Sequence, residues 1–416
     1  MTRVFNRMTT KLPPIAVRAE GMHIWDSTGK SYIDACGGAA VSCLGHNDAR
    51  VAEAMAAQMK KLDYVHPGFF SGEPAEHLAD LLLEDAPKGL DYAYFVSGGS
   101  EAMEAALKMA RQYFLEIGQP KRSRFISRRQ SYHGNTLGAL AVGGNLARRE
   151  PYAPMLMDVS LIAPCFAYRF KRDDESDEQY GRRVADELEA EILRLGPETV
   201  AGFTAETVVG ATTGCVAAVP GYFKRIREIC DKYGVLLILD EVMSGMGRTG
   251  TLHACEQEGI APDLMTIAKG LGGGFPVGAV MATEQAAVGM TAGTHGSTFG
   301  GNPLAMAVAN AVLDVMLEPG FLERVDKISR LLWKELEALV KKHPKVFIEV
   351  RGAGLMLGLR CHIPNTQLVD KLRENGLLAV GAGENVVRLV PPLIIDEIHV
   401  REAVEKIDKA AAEVAV

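Results

Sequence analysis

The feature that most restricts this chain is an alternation of short apolar runs with amphipathic stretches between residues 92 and 268. Runs at 92–96, 200–205, 235–239 and 264–268 are strand-sized, and 125–126 begins another. The stretches 101–114 and 222–233 carry apolar residues at helical spacing. Strands alternating with helices predict an α/β fold with a mostly parallel sheet and helices on both faces. From about Asn302 the texture changes. A long helical stretch over 303–343 is broken at Pro319-Gly320, and short strands at 346–350, 355–359 and 386–389 flank a helical 368–375. This predicts a smaller α+β domain. With the brief strands 22–25 and 32–33, the expected division is a large domain over 51–310 and a small one from 1–50 and 311–416. The polar stretch 171–180 reads as an exposed loop or a helix start.

In an open α/β sheet, ligands bind at the carboxyl ends of strands. Four features fall there. Ser97-Gly98-Gly99-Ser100-Glu101 lies between a strand and a helix. Its glycines admit close backbone approach and the helix start offers free N–H groups, so it is either a phosphate cradle or an ordinary cap. Asp240 follows a wholly apolar run. A carboxylate there needs a partner, either a structural one or a protonated ring nitrogen. Lys269 follows another apolar run and precedes Gly270-Leu271-Gly272-Gly273-Gly274. Low dielectric favours a neutral, nucleophilic lysine, as a Schiff base requires. The lysine precedes the glycines, so neither a nucleotide P-loop nor a dinucleotide fingerprint is present. His295 to Pro303 supplies Ser297 and Thr298 in a glycine-bounded loop. Together these provide a phosphate cradle, a ring-nitrogen acid and an imine lysine, the set a pyridine-ring electron sink needs.

Other chemistries find less support. The chain has 45 basic and 52 acidic residues, a net charge of −7, which gives no reason to expect nucleic acid or an anionic membrane as partner. Basic pairs such as Arg128-Arg129 and Arg148-Arg149 read as solvated surface. The 7 cysteines form no Cys-x-x-Cys pair, which argues for reduced thiols and against a zinc site, so no metal is expected. Residues 1–30 carry charges throughout and no apolar run approaches the ~20 residues of a membrane helix, so a cytoplasmic protein is expected.

The chain resembles the class III, or ω-type, aminotransferases of pyridoxal-phosphate fold type I over essentially its whole length. The resemblance rests on Trp25-Asp26 with Gly29, Leu44-Gly45-His46, Ser97 to Glu101, Tyr132-His133-Gly134, Asp240-Glu241-Val242, Gly247-Arg248-Thr249-Gly250, Ala268-Lys269-Gly270, and Arg388 ahead of Pro391-Pro392. It implies pyridoxal 5'-phosphate as cofactor, an imine through Lys269, and transfer of an amino group to an oxo acid such as pyruvate or 2-oxoglutarate in two half-reactions. It further implies that Gly99 and Ser100 hold the phosphate, and that Tyr132, in its His133 context, and Val242 cover the ring faces. Glu206 would lie near the ring edge and Asp240 at its nitrogen. Ser297 and Thr298 would reach the phosphate of a neighbouring subunit, making a homodimer with shared active sites. Arg388 would grip a substrate carboxylate.

The departures concern substrate. Met243 stands where many members carry Gln beside the cofactor's phenolic oxygen. Asn135 replaces the arginine of acetylornithine and ornithine aminotransferases, and Ala211 replaces a glutamate that pairs with the arginine at 388 in ornithine-type enzymes. Arg388, lacking that glutamate, is expected to be held loosely. The C-terminal third nevertheless resembles acetylornithine aminotransferase, which remains an alternative. So does a decarboxylase, racemase or aminomutase on the same fold. The expected site has one firm carboxylate contact, suited to ω-amino acids or amines with an acceptor such as pyruvate, with Phe69 and Phe70 lining its apolar part.

Overall fold

The structure, a computed structural model, describes residues 3–5 and 12–415, so part of the leading segment read for an export signal lies outside the described residues. At its centre is a seven-stranded sheet in the order Leu90–Val96, Gly278–Thr283, Leu264–Ile267, Leu236–Asp240, Val200–Glu206, Arg124–Arg128 and Val159–Ile162. Gly278–Thr283 runs antiparallel to both its neighbours, and every other pairing is parallel.

The side chains of Leu236–Asp240 divide by parity, because successive strand residues point to opposite faces. Leu236 and Ile238 join the core formed with helix Gly99–Glu116. Leu237 and Leu239 join the core formed with helices Asp177–Leu195 and Tyr222–Tyr233. A strand covered on both faces must be apolar at every position, which is why this one was readable as an unbroken run. Full burial of a side chain such as Leu239 or Phe114 contributes ~1.5–3 kcal/mol.

Where apolar runs misled, a buried polar group is the reason. The strand over 125–126 extends to Arg124–Arg128 with Ser127 and Arg128 both buried. Arg128 Nη2 donates to the carbonyl of Glu206, and its guanidinium faces the rings of Tyr222 and Phe223 at 5.8 and 5.9 Å. Arg128 is therefore an interior arginine and not the solvated residue its sequence context suggested. Strand Leu236–Asp240 likewise includes Asp240 as its last residue. Two strands of this central sheet had no counterpart in the sequence reading. Val159–Ile162 is only four residues long, and Gly278–Thr283 emerges directly from a Gly/Pro-rich turn. Helix Asp177–Leu195 begins inside the polar stretch, with a capping box between Ser176 and Gln179.

Helices Pro303–Met316 and Phe321–Lys342 meet at 69° around Gly320, whose φ of 88° is a conformation glycine adopts without steric cost. Beyond them, Phe347–Ala353, Met356–Cys361, Val386–Leu389 and Val380–Ala382 form an antiparallel sheet. Leu377–Leu378 leaves that region to pair in parallel with Ser31–Asp34, so segments from both ends of the chain share one sheet. Arg248 is buried and donates to the carbonyls of Leu355 and Pro391, which ties its glycine-flanked turn to the C-terminal elements. Among the described residues no single helix is long and apolar enough to cross a membrane.

Candidate active site

Register places two carboxylates level at the carboxyl end of the sheet, since Asp240 pairs with Glu206 across neighbouring strands. Thr266 lies beside Asp240 on the other side, three residues before Lys269. All of these elements border a cleft of about 1140 Å3, lined by Gly99, Ser100, Tyr132, His133, Glu206, Asp240, Val242, Met243, Lys269 and Arg388, among others.

Both oxygens of Asp240 are occupied. Oδ1 accepts the N–H of Val242 at 3.0 Å, and Oδ2 lies 2.7 Å from His133 Nδ1. A carboxylate oxygen only accepts, so His133 carries its proton on Nδ1. The His133 ring is fully enclosed and orients Asp240, a role that its place beside Tyr132 did not reveal. Glu206 is just as fixed. Its Oε1 accepts the N–H of Tyr132 at 2.9 Å and its Oε2 that of Gly210 at 3.3 Å. Burial pushes the Glu206 carboxyl up, with His133 opposing and Asp240 reinforcing that shift.

Lys269 adopts φ 47°, a left-handed conformation that costs a non-glycine residue strain. Burial lowers its ammonium to about 8, against the pull of Asp240 and Glu206 and with the help of Arg388. No hydrogen bond or ion pair to the Lys269 ammonium is found among the described residues.

Helix Gly99–Glu116 begins without a side-chain cap, because its N-cap is Gly98. The first N–H groups of such a helix are free to meet an anion. A Cβ at Gly99 would lie 2.7 Å from Val242 Cγ1, so only glycine lets Val242 pack against this turn. These residues fit pyridoxal phosphate: an uncapped helix start for its phosphate, a fixed carboxylate for its ring nitrogen and a free lysine for its aldehyde.

Arg388 is buried at 6 % exposure, and its Nη1 donates to Gly210 O at 2.8 Å and approaches Met243 Sδ at 3.6 Å. A backbone carbonyl thus anchors it in place of the missing glutamate, contrary to the expectation of a loose side chain. The departures at 211 and 243 belong to one cluster around Gly210. Arg388 Nε has no partner among the described residues.

Other expected site residues lie elsewhere. Asn135 is exposed, exchanges hydrogen bonds with Ser100 at 3.1 Å and does not line the cleft. Phe69 and Phe70 are 81 % and 67 % exposed and do not line their own chain's cleft. Ser297 donates to Glu101 Oε1 at 2.6 Å, and the Thr298 carbonyl accepts from Tyr64 at 3.0 Å; neither residue borders the cleft. Arg148 is exposed, as its surface reading implied, and it also lines the cleft, with its guanidinium carbon 4.8 Å from the Tyr132 ring centroid. Nothing in its local sequence signals this. Glu241 is a structural residue, accepting from Thr207 and from the N–H groups of Ala254 and Cys255.

A model of the class-III aminotransferase family matches residues 4–411. An uncharacterized aminotransferase of Schizosaccharomyces pombe is 43% identical, over 95% of this chain and 92% of its own. An acetylornithine aminotransferase of Mesorhizobium japonicum is 43% identical, over 94% of this chain and 92% of its own. The solved structure of the omega transaminase from Pseudomonas jessenii in complex with PMP matches with a TM-score of 0.93 at 29% identity, covering 100% of this chain and 96% of that one. Class-III aminotransferases are pyridoxal-phosphate-dependent enzymes of fold type I, and the mostly parallel, helix-flanked sheet described above is consistent with that fold. On the extent of these matches, the chain belongs to the class-III aminotransferase family.

Proposed function

We propose that this aminotransferase holds pyridoxal 5'-phosphate in the cleft, with Lys269 as its covalent anchor, and moves an amino group from an ω-amino acid, amine or amino acid to an oxo acid. The observation that carries this reading is the convergence of Asp240, Lys269 and the uncapped start of helix Gly99–Glu116 on one cleft. When bound, the cofactor supplies an electrophilic aldehyde and a ring that accepts the electron pair left as the substrate loses its α-proton. Gly99 and Ser100 donate N–H groups to the phosphate. Asp240, oriented by His133, holds the proton on the ring nitrogen. Tyr132 and Val242 would flank the ring, and Glu206 and Met243 line the same cleft. Lys269 Nζ, once replaced by the substrate amine, would be the free base that accepts the substrate's α-proton and holds it for return. Arg388 pairs with the substrate carboxylate through the N–H capacity that Gly210 leaves free.

The same reading includes a homodimer in which Ser297 and Thr298 serve the partner's site. Their position off their own cleft supports this, as does the exposed Phe299, at 66 %, packed edge-on to Tyr64. It also keeps the division into 51–310 and 1–50 with 311–416, supported by the shared sheet of Ser31–Asp34 and Leu377–Leu378.

For substrate, Arg388, the buried arginine lining the cleft, favours ω-amino acids or amines with a monocarboxylate acceptor such as pyruvate. The likeness to the Mesorhizobium japonicum enzyme favours a second reading, acetylornithine with 2-oxoglutarate. The test compares catalytic efficiencies of the two substrate pairs and the stoichiometry of products. One oxo product for each new amino acid, with higher efficiency for ω-amino donors and pyruvate, is the expected result. A clear preference for N-acetylornithine selects the second reading. Carbon dioxide release or racemisation without a new amino acid overturns both.

A further inference from the structure

Where acetylornithine and ornithine aminotransferases carry an additional arginine, this chain has Asn135, which is bound to Ser100 outside the cleft. A different, exposed arginine borders the cleft. Arg148 lies on the short helix Leu146–Arg149, whose start is capped by Asn145 Oδ1 accepting the Arg148 N–H at 3.3 Å. Its guanidinium carbon is 4.8 Å from the Tyr132 ring centroid, in the same cleft as Lys269 and Arg388. Among the described residues its guanidinium meets no carboxylate and no hydrogen-bond acceptor. Its neighbours differ. Arg149 is committed to the carbonyls of Ala141 and Gly143. Of the other arginines that border the cleft, Arg129 and Arg183 are paired with Glu187 and Glu175, while Arg172 donates its backbone N–H to Glu175 and takes no part in the Tyr132 ring contact.

Stacking on an aromatic ring uses the face of a guanidinium and leaves its in-plane N–H edge free. That edge pairs with a carboxylate through two parallel hydrogen bonds. Arg388 is placed for the carboxylate beside the reacting carbon. A diacid has a further carboxylate several bonds away and needs a separate cation for it. We propose that Arg148 binds the distal carboxylate of dicarboxylic oxo acids, and so extends the acceptors of this site beyond monocarboxylates. This rests on the aminotransferase reading and adds a specificity-determining residue to it.

The test measures kcat and KM for 2-oxoglutarate and for pyruvate with one amino donor, in the wild type, Arg148→Ala and Arg148→Lys. Inhibition by glutarate, a diacid without a reacting carbonyl, reads binding separately from turnover. Arg148→Ala is expected to raise the ratio of the 2-oxoglutarate KM to the pyruvate KM about tenfold, weaken glutarate by a similar factor, and leave Lys substitution partly competent. An unchanged ratio overturns the proposal, because a residue that merely braces Tyr132 would affect both acceptors alike. A wild type that accepts pyruvate but not 2-oxoglutarate overturns it as well. Transfer to neither acceptor would instead defeat the aminotransferase reading itself.

Discussion

On one side of the cleft, Asp240 and Glu206 sit level on neighbouring strands, and each of their four oxygens is met by a donor from Val242, His133, Tyr132 or Gly210. On the other side, Arg388 reaches in from a small antiparallel sheet and is met by one carbonyl and one thioether, while Arg148 rests on a ring face. The difference teaches how one site separates chemistry from choice of substrate. A carboxylate held at both oxygens has one orientation, so its remaining acceptor capacity points in a fixed direction. Removing one partner from such a buried charge costs ~3–5 kcal/mol, so that wall resists change. The arginine wall keeps hydrogen-bonding capacity in reserve for a ligand, and a hydrogen bond to a charged group there contributes only ~1.5–3 kcal/mol.

If this contrast holds, changes in the first wall, or in Lys269 in the same cleft, should depress every substrate alike. Lys269→Ala is expected to lower kcat by roughly 10^4-fold or more, since the covalent anchor and the proton carrier are lost together. Borohydride reduction and peptide mapping identify the anchoring lysine. Cofactor recovered on a different lysine would overturn the assignment of Lys269 as anchor.

Asp240→Asn should cost about two powers of ten in kcat, which is about 3 kcal/mol of barrier. Native rates of single-turnover proton abstraction would rule that out. The same variant sharpens the electrostatic side. Burial holds Lys269 at about 8 and Asp240 pulls it upward. A depressed pKa extends the neutral amine to lower pH. Covalent capture of the cofactor aldehyde by the cofactor-free chain should therefore rise as pH climbs through about 8, well before an ordinary lysine would respond. Without the Asp240 charge the midpoint should move lower still. A midpoint that stays or rises would show that the two groups do not sense each other.

The smallest effect is expected in the second wall. Arg388→Lys should raise KM about tenfold for substrates with a carboxylate, because an ammonium cannot replace a bidentate fork, and should affect a simple amine donor less. Equal losses for both donor types would mean that Arg388 holds the wall together and does not select substrate.

How much of this was legible beforehand depends on how far apart the interacting parts lie in the chain. Lys269 and Asp240 announced themselves because a buried strand, a reactive side chain and a turn are contiguous, so burial can be inferred from immediate neighbours. The glycine-led helix start at Gly98 and Gly99 was visible for the same reason. Arg128 was misread as surface, and the cleft position of the exposed Arg148 went unseen, because adjacent residues do not say what waits across the fold.

The sequence by itself determined the strand-and-helix alternation, the parallel sheet and the placing of lysine, aspartate and glycines at strand ends, since each follows from periodicity over a few residues. Only the tertiary structure decided which distant groups meet. His133 reaches Asp240 across 107 positions and Arg388 reaches Gly210 across 178. Such pairs depend on the order in which strands are laid side by side, and a carboxylate or guanidinium acquires its partner, its burial and its selectivity only after that order is set.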